Sequence, residues 1–455
     1  MTWTESISAL KRAPLNLRLD RKKTTKLIYF RLKEYLDIYI SHILTYPWNM
    51  PPFFTIDDLD THNKVVLVRV DLNSPIGPDG EILDDIRFRS HIPTIKALDD
   101  AKVVLIAHQS RPGKKDFTTM ENHAKKLSSL LGKSVMYVDD IFGSHALLTI
   151  REMDNGEVVL LENLRFSSEE VLKAPTEDLA KTHLVKRLSL VADLYLNDAF
   201  GTVHRSQTSI VAFPLVLTSG AGRLMEKEVD MLTKALTTSQ RPRIFMLGGT
   251  KADDSVKVIE HVLSQGSADK VLVTGIVANV FLAASGVDIG RPNLDYIKSL
   301  GYEGCIDVCK KLIDVHDGKI MMPIDVALNN NGNRSDAHLA DLPTECLIYD
   351  IGIETIVAYS RELKSAGTVV INGPAGVFEQ KAFALGTDET LKAAAQSKLS
   401  ILGGGHIAAA ARRIGIDKHI THVSTGGKAC IDFLAGETLP GIMALVDAKC
   451  QTEEG

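Results

Sequence analysis

Residues 65–73 read VVLVRVDLN, and this stretch decides the fold. Its first six positions form a nearly continuous apolar and β-branched run, which is typical of a strand covered on both faces. The run gives way to Asp71, Leu72 and Asn73. Because ligands of open α/β sheets bind beyond the carboxyl ends of the strands, this stretch predicts both a buried parallel strand and a binding loop.

Similar apolar runs recur along the chain and alternate with longer amphipathic segments. Repeated strand–helix–strand units predict parallel sheets with right-handed crossovers. The runs are too many for one open sheet of ordinary size. We therefore predict an α/β fold of two doubly wound, Rossmann-like parallel-sheet domains joined by a long helix and a hinge. The predicted strands are VVLVRV (65–70), KVVLIAH (102–108), SVMYV (134–138), EVVLLE (157–162), DLYLND (193–198), RIFML (243–247), KVLVTG (270–275), CLIYDIG (346–352), TVVING (368–373), KLSILGG (398–404) and ITHVST (420–425).

The composition excludes several classes of protein. The chain has 455 residues, of which 45% are hydrophobic and 24% charged, and its net charge is −5. This charge is too small to indicate a nucleic-acid or membrane-surface protein, and no apolar run reaches the roughly 18 residues of a membrane span. The five cysteines form no pattern of paired spacings. We therefore predict free thiols in a reducing, cytoplasmic compartment, with no nucleic-acid or membrane partner.

Residues 1–49 differ from the rest, because they hold nine basic and four acidic residues. The segment 27–44 has helical apolar spacing, so an amphipathic targeting or membrane-surface helix is one interpretation. The other is a mis-called start, with Met50 as the true first residue. The second is favoured because the globular pattern begins just after Met50.

Arginines cluster at predicted strand ends in the first half of the chain. Four of them follow strands or open the first predicted helix, namely Arg87, Arg111, Arg165 and Arg205. Guanidinium groups match phosphate and carboxylate oxygens bidentately, so arginines that converge at one crevice form an anion site. Single arginines at such places are usually solvated or paired with acids, but four in succession favour the anion site. His108, Gln109 and Ser110 precede Arg111 in the same candidate loop.

Glycines take the corresponding places in the second half. Gly248 and Gly249 end one strand and are followed by Lys251 at the start of a helix. Gly403, Gly404 and Gly405 lie between another strand and a helix that begins near His406. Glycine lets the backbone approach a ligand closely, and a helix N-terminus offers free N–H groups to phosphates. These loops predict a nucleotide polyphosphate site, although neither a Walker loop nor a dinucleotide fingerprint is present.

An arginine-rich crevice opposite glycine-rich loops suits phosphoryl transfer between an anionic small molecule and a nucleotide. Closure of a hinge would bring the two sites together and exclude water.

From about residue 53 to residue 446 the chain resembles the phosphoglycerate kinase family, segment by segment and in order. The motifs that carry the resemblance are LVRVDLNSP (67–75), DDIRFR (84–89), IPTIKAL (92–98), AHQSRPG (107–113), LLENLRF (160–166), NDAFGTVHR (197–205), LGGTK (247–251), NGPAGVFE (372–379), LGGGH (402–406) and STGG (424–427). The resemblance implies reversible transfer of the acyl phosphate of 1,3-bisphosphoglycerate to ADP, giving 3-phosphoglycerate and ATP, with Mg²⁺ bound to the nucleotide.

The resemblance also implies which residues act. Arg87 and Lys251 are expected to be catalytic, with His108 as a hydrogen-bond donor to substrate. The substrate site would comprise Asp71, Leu72, Asn73, Arg87, His108, Gln109, Ser110, Arg111, Arg165 and Arg205. The nucleotide site would comprise Gly248, Gly249, Lys251, Glu379, Gly403, Gly404, Gly405 and His406.

The expected division of the chain follows from the same motifs. After the extension at 1–49 come a 3-phosphoglycerate-binding domain at 50–220, an interdomain helix at 221–238 and a nucleotide-binding domain at 239–435. Residues 436–455 would return to the first domain. A monomer is favoured, with a homodimer as the alternative.

Three departures from the usual family pattern resemble the archaeal branch. Ser255 replaces a second lysine of the loop after Lys251, and His406 replaces an acidic residue. The segment from Thr274 to Asn279 replaces a family segment that is richer in glycine. The replaced acidic residue is the one expected near the metal, so the protein ligands of Mg²⁺ are left unassigned. Alternatives are an anion-binding protein without chemistry, a dehydrogenase and a catalytically inactive family member.

Overall fold

The first half of the chain builds one parallel sheet in this computed structural model, which describes residues 51–454. Its strands are β1 (Val65–Arg69), β2 (Lys102–Ile106), β3 (Met136–Val138), β4 (Val158–Leu161), β5 (Leu194–Asn197) and β6 (Thr218–Ala221). Their order is β3-β4-β2-β1-β5-β6, and every adjacent pair is parallel. This first sheet changes its direction of winding at β1, where Val66 pairs with Val103 on one side and Leu194 on the other. Such a switch point is where ligands bind in open α/β sheets.

Helices cover both faces of the first sheet. They are α1 (Ile86–Lys96), α2 (Glu121–Leu131), α3 (Ser144–Glu152), α4 (Thr176–Leu179), α5 (His183–Leu188) and α6 (Thr208–Val211). Short 3₁₀ turns at Ile56–Asp58, Leu164–Phe166, Ser168–Val171, Phe200–Thr202 and Phe213–Leu215 complete this half. The strands are almost wholly buried, which explains why they read as continuous apolar runs.

A long helix, α7 (Arg223–Thr237), follows β6 and leads to the second half of the chain. Its 15 residues span about 22 Å at 1.5 Å per residue. The helix begins where the Asp198 carboxylate accepts hydrogen bonds from the backbone N–H groups of Leu224, at 2.9 Å, and Met225, at 3.3 Å. A residue near the end of β5 therefore fixes the start of α7.

The second half contains a second parallel sheet and a small antiparallel one. Its strands are β7 (Arg243–Leu247), β8 (Lys270–Val273), β9 (Ile320–Met321), β10 (Asp325–Asn330), β11 (Asn333–His338), β12 (Leu347–Ile351), β13 (Thr368–Asn372), β14 (Leu399–Gly403) and β15 (His422–Val423). The second sheet has the order β15-β14-β13-β7-β8-β9 and is parallel throughout. The small sheet has the order β11-β10-β12.

Helices surround these strands as well. They are α8 (Ala252–Ser264), α9 (Gly275–Ala284), α10 (Arg291–Ser299), α11 (Cys305–Val315), α12 (Ile353–Ser365), α13 (Leu385–Ala394), α14 (Gly405–Arg413), α15 (Gly427–Leu434) and α16 (Pro440–Glu454). Turns of 3₁₀ helix lie at Leu339–Asp341, Lys381–Phe383 and Asp417–His419. Among the residues described, no helix is long and apolar enough to cross a membrane.

Helix α16 packs on the first sheet rather than on the strands that precede it in the chain. Gly441 donates its backbone N–H to the carbonyl of Val203 at 2.9 Å, and Ile442 and Leu445 are fully buried. A Cβ on Gly441 would lie 2.8 Å from Ile210 in α6. The end of the described chain therefore covers part of the first half.

The predicted α/β fold with two parallel sheets is confirmed, but the strands differ in several places, since β6, β9, β10 and β11 are not among the predicted ones. The strand predicted at 346–352 exists as β12, but it belongs to the antiparallel sheet. Its sheet is partly open to solvent, because four of the six residues of β11 are exposed and none is buried, and solvated sheets are usually antiparallel. The edge strand β6 escaped prediction because its sequence, TSGA, lacks the β-branched aliphatic residues of a buried strand. The helix predicted within residues 27–44 lies outside the described residues.

Candidate active site

The loops after β1, β2, β4 and β5 meet at the carboxyl edge of the first sheet. Asp71 follows β1, is 5% exposed and pairs with the guanidinium of Arg87 from α1. Burial alone would raise the pKa of the Asp71 carboxyl, but Arg87 and other neighbouring groups lower it to about 2. Arg87 keeps 38% of its side chain exposed, so its guanidinium remains accessible to a ligand.

The loop after β1 is held by a chain of buried hydrogen bonds that the sequence did not reveal. The backbone N–H of Asp71 donates to His91 Nε2 at 3.0 Å, and His91 Nδ1 lies 2.6 Å from Asp198 Oδ2. Because Asp198 also accepts from the first residues of α7, the position of Asp71 is linked to the start of that helix.

The next loop is braced in a similar way. Asn73 Oδ1 accepts from the backbone N–H of Ser110 at 2.8 Å. Gln109 is fully buried, and its amide bonds to both backbone groups of Ser74, at 3.1 and 3.0 Å. Leu72 is likewise fully buried. The side chains of Gln109 and Leu72 are therefore enclosed in the protein, Ser110 is buried as well, and Asn73 is partly buried.

Five arginines lie close together at this edge, and the charges of the others affect the pKa values of Arg165 and Arg205. Burial lowers the pKa of Arg205, opposed by Asp71, and the cations Arg69, Arg87 and Arg111 lower it further. Burial and the neighbouring Arg205 likewise lower the pKa of Arg165 to about 10. Burial is the largest cause of both shifts, and the neighbouring guanidinium groups add to it because several positive charges lie close together. The crevice is therefore set up for an anion.

The glycine loops at the carboxyl edge of the second sheet are joined by backbone hydrogen bonds. Gly248 donates its N–H to the carbonyl of Asn372 at 2.8 Å, and Gly249 donates to Pro374 at 2.9 Å. Gly373 has φ of +81°, and a Cβ there would collide with the Gly248 carbonyl. These strand ends approach so closely that only glycine fits.

Two buried polar side chains at this edge escaped the sequence reasoning. Among the residues described, Asn372 Nδ2 and Thr274 Oγ1 are buried and have no hydrogen-bond partner. A Cβ on Gly403 would lie 2.6 Å from Asn372 Nδ2, so the amide faces the glycine loop. An unpaired buried donor is costly, and a ligand that accepts a hydrogen bond would satisfy it. The sequence does contain a signal for Asn372, because this polar residue ends a buried strand immediately before a glycine.

The remaining predicted nucleotide residues lie around these loops and are solvent-accessible. Lys251 is exposed immediately before α8, and Glu379 is exposed after β13. Gly405 and His406 are exposed in the first turn of α14, where backbone N–H groups lack partners within the helix. Lys428, in the first turn of α15, lies 2.7 Å from Asp254 of α8.

The loop at 424–427 reaches the first sheet. Gly426 lies so close to Phe200 that a Cβ there would collide with the aromatic ring. Thr425 donates its N–H and hydroxyl to Glu228 of α7, at 2.6 and 2.8 Å, and His422 Nε2 lies 2.8 Å from the other carboxylate oxygen. This Glu228 anchor, formed with His422 and Thr425, joins the connecting helix to the second sheet.

The carboxylates described at the second edge do not form a metal-binding group of their own. No group of three or more His, Cys, Asp or Glu suited to a metal occurs within residues 51–454. Asp254 already gives one carboxylate oxygen to Lys428. This donor set fits a metal that arrives with nucleotide phosphates and water, because Mg²⁺ commonly uses only one or two protein carboxylates.

Comparisons with known proteins agree with the geometry of both edges. Residues 56–437 match the family model of phosphoglycerate kinase. The phosphoglycerate kinase of Methanosarcina mazei is 55% identical over 403 residues, covering 88% of this chain and 97% of that protein. That of Methanothermus fervidus is 51% identical over 406 residues, covering 88% and 99%. The crystal structure of phosphoglycerate kinase from Pyrococcus horikoshii has a TM-score of 0.81 at 45% identity and covers 88% of this chain and 99% of that one. These archaeal relatives confirm the predicted resemblance, and the chain belongs to the phosphoglycerate kinase family.

Proposed function

We propose that the first-sheet edge binds 3-phosphoglycerate or 1,3-bisphosphoglycerate, and that the second-sheet edge binds ADP or ATP. The reaction is that of the family, the reversible transfer of a phosphoryl group between a carboxylate and a nucleotide. In this proposal, residues 50–220 form the substrate domain, 239–435 form the nucleotide domain and 221–238 connect them. The observation that carries the proposal is the cluster of arginines around Asp71, which lies beside the loop at 424–427 from the second sheet.

At the substrate edge, anionic oxygens are proposed to bind the arginine side chains and the polar groups that surround them. The proposed ligands are Asp71, Asn73, Arg87, His108, Ser110, Arg111, Arg165 and Arg205. The buried Leu72 and Gln109 support these loops from inside the protein. Guanidinium groups suit this role because each presents a fixed pair of donors to phosphate or carboxylate.

At the nucleotide edge, we assign the phosphates to the glycine loops and to the first turn of α14. The predicted Gly248, Gly249, Lys251, Glu379, Gly403, Gly404, Gly405 and His406 are joined in this proposal by Asn372 and Thr274. Backbone N–H groups at a helix start attract phosphate oxygens. The unpaired Asn372 amide supports the assignment, because it needs an acceptor.

Catalysis in this proposal rests on position and charge. When 1,3-bisphosphoglycerate is formed, the acceptor is the carboxylate of 3-phosphoglycerate. This group is already ionised at pH 7, so no general base is needed to activate it. Arg87 from one edge and Lys251 from the other would neutralise the transferring phosphoryl group, assisted by the amides at residues 403–406. Hinge closure would bring these groups together and exclude water.

Mg²⁺ is proposed to enter with the nucleotide and to neutralise phosphate charge when bound. The first turn of α8 contains two carboxylates, Asp253 and Asp254. One oxygen of Asp254 already accepts a hydrogen bond from Lys428. The phosphates and water would therefore supply most of the metal ligands.

The site needs only one chain, because both edges come from residues 51–454. We therefore propose a monomer, which light scattering during gel filtration would check against the homodimer. Cys305, Cys309, Cys346 and Cys430 are thiols outside any disulfide bond, which supports the proposed reducing, cytoplasmic location.

A coupled assay for ATP formation from 1,3-bisphosphoglycerate and ADP tests the function. Arg87→Ala and Lys251→Ala should each lower turnover at least about a hundredfold, the usual scale for losing one charge-stabilising group. Arg151→Ala and Lys310→Ala are matched controls on exposed helix positions and should retain the parent rate. Parent protein that binds ADP but forms no ATP would indicate an inactive family member. Failure to bind ADP would support an anion-binding protein instead.

A further inference from the structure

Arg69 ends β1 as a fully buried cation, below the arginine crevice. Its Nε donates to Ser209 Oγ at 2.8 Å, and its Nη2 lies 3.8 Å from an oxygen of the equally buried Glu170. Ser209 also binds Glu170 through its backbone N–H and its hydroxyl, at 3.0 and 2.8 Å. A buried ion pair is costly to form and persists only with such partners. The guanidinium is therefore fixed in position.

The same guanidinium contacts His108. Arg69 Nη2 lies 2.9 Å from His108 Nδ1. A guanidinium carries only donors, so Nδ1 must accept this hydrogen bond through its lone pair. The ring proton then belongs on Nε2, which has no hydrogen-bond partner among the residues described.

The groups around the ring explain why its protonation state matters. Burial lowers the pKa of His108 well below 6.5, Arg69, Arg165 and Arg205 lower it further, and Asp71 opposes them. A neutral imidazole in this crevice could offer a substrate oxygen either an N–H donor or a lone pair. Only the donor attracts an anion, and the lone pair would repel it.

We propose that Arg69 is a positioning residue that holds His108 as the neutral tautomer protonated on Nε2, so that the ring donates a hydrogen bond to an anionic oxygen of the bound substrate. The inference rests on the proposed function of this edge as the phosphoglycerate site. Arg69 does not touch the substrate in this scheme, because it acts from beneath the ring. It thereby differs from the arginines that line the crevice.

The tautomer can be read directly in the full-length protein without any turnover. Labelling histidine with ¹⁵N and recording two-bond ¹H–¹⁵N correlations distinguishes protonated from unprotonated ring nitrogens. In the parent, His108 should show a protonated Nε2 and a bare Nδ1 from pH 5.5 to 8.5. A ring protonated on Nδ1, or on both nitrogens at pH 7, would overturn the proposal before any variant is made.

The informative variant removes both buried charges. Arg69→Met with Glu170→Gln eliminates the donor without leaving a buried carboxylate unpaired. His108 should then populate both tautomers, and its pKa should rise toward 6.5. The KM for 3-phosphoglycerate at pH 8 should rise about ten- to a hundredfold, the value of a hydrogen bond to a charged group. The KM for ATP should change less than about threefold, since the nucleotide edge is untouched.

Two comparisons separate positioning from a merely structural role. Glu170→Gln alone keeps Arg69, so the His108 tautomer should not change. Restoring a donor with Arg69→Lys and Glu170→Gln should recover part of the Nε2-protonated population. The buried ring of His123, which bonds to Gln109 at 3.0 Å, serves as an internal reference whose signals should not move in any folded variant.

The outcomes also separate this inference from the proposed function. A double variant that retains the single Nε2-protonated form and the parent KM would show that Arg69 does not set the tautomer. A parent with the expected tautomer but no binding of 3-phosphoglycerate would refute the proposed function and leave the arrangement of the ring intact.

Discussion

The Glu228 anchor provides a direct test of how α7 is tied to the second sheet. Glu228 is fully buried and accepts hydrogen bonds from Thr425 N, Thr425 Oγ1 and His422 Nε2, between 2.6 and 2.8 Å. The substitution Glu228→Ala removes every one of these acceptors. The donor of the buried His422 would then lack a partner, and so would the two donors of the partly buried Thr425.

The expected cost follows from those contacts. Hydrogen bonds to a buried charged group contribute about 1.5–3 kcal/mol each, and their losses are not additive. Breaking a buried charged arrangement by removing one partner usually costs about 3–5 kcal/mol. We expect a loss in this range, which should lower the melting temperature by roughly 4–6 °C, since the unfolding entropy grows with chain length.

Thermal unfolding followed by circular dichroism measures this change. Asp230→Asn is a matched control on the same helix, because Asp230 forms an exposed pair with Lys234 at 2.7 Å and such pairs contribute at most about 1 kcal/mol. A double-mutant cycle with Thr425→Val should give a coupling of about 1–3 kcal/mol between the two positions.

The activity of the same variants gives a second measurement. Loosening the loop at 424–427 should lower kcat more than it raises either KM, because the loop lies between the two edges. A Glu228→Ala protein that unfolds within 1 °C of the parent, or that shows no coupling to Thr425, would refute the view that this carboxylate anchors the loop.

Three further outcomes are expected. Asn372→Leu should weaken ADP binding about tenfold in titration calorimetry, as the loss of one hydrogen bond to a charged phosphate implies, and unchanged affinity would remove Asn372 from the nucleotide site. The Asp71 pKa is depressed from 3.8 to about 2, so this carboxylate stabilises the fold by about 2 kcal/mol above pH 4 and loses that contribution as the pH falls toward 2. Urea midpoints between pH 5 and 3 should accordingly fall less steeply in Asp71→Asn than in the parent, and parallel curves would contradict the shift. Lys428→Ala breaks contacts to Asp254 and Asp432, at 2.7 and 2.8 Å, and should cost at most about 1 kcal/mol by urea unfolding, whereas Lys257→Ala, from an exposed 3.9 Å pair, should cost nothing measurable.

The fold was predictable where burial leaves a local signal. Strands such as β1 and β13 are covered on both faces, so their sequences are mostly apolar and identify them directly. The edge strand β6 and the hairpin of β10 and β11 carry small or polar residues, and their pairing depends on neighbours elsewhere in the chain. Local pattern cannot encode such pairing.

The same reasoning applies to the candidate site. The strand-end arginines could be predicted because topology alone brings the carboxyl ends of neighbouring parallel strands together. Arg69 and Glu228 could not, since their partners Glu170 and Thr425 lie far away in sequence and each residue resembles an ordinary surface charge. Only the folded structure shows that water is excluded from them.

Helix α16 has a consequence for how the nascent chain matures. It covers Val203 and Ile210 of the first half, yet the ribosome makes it only after the whole second sheet. At roughly 5–20 residues per second, synthesis leaves that apolar surface bare for about ten to forty seconds. During this interval the first half of the polypeptide is an incomplete folding unit, and chaperones can bind its exposed apolar surface.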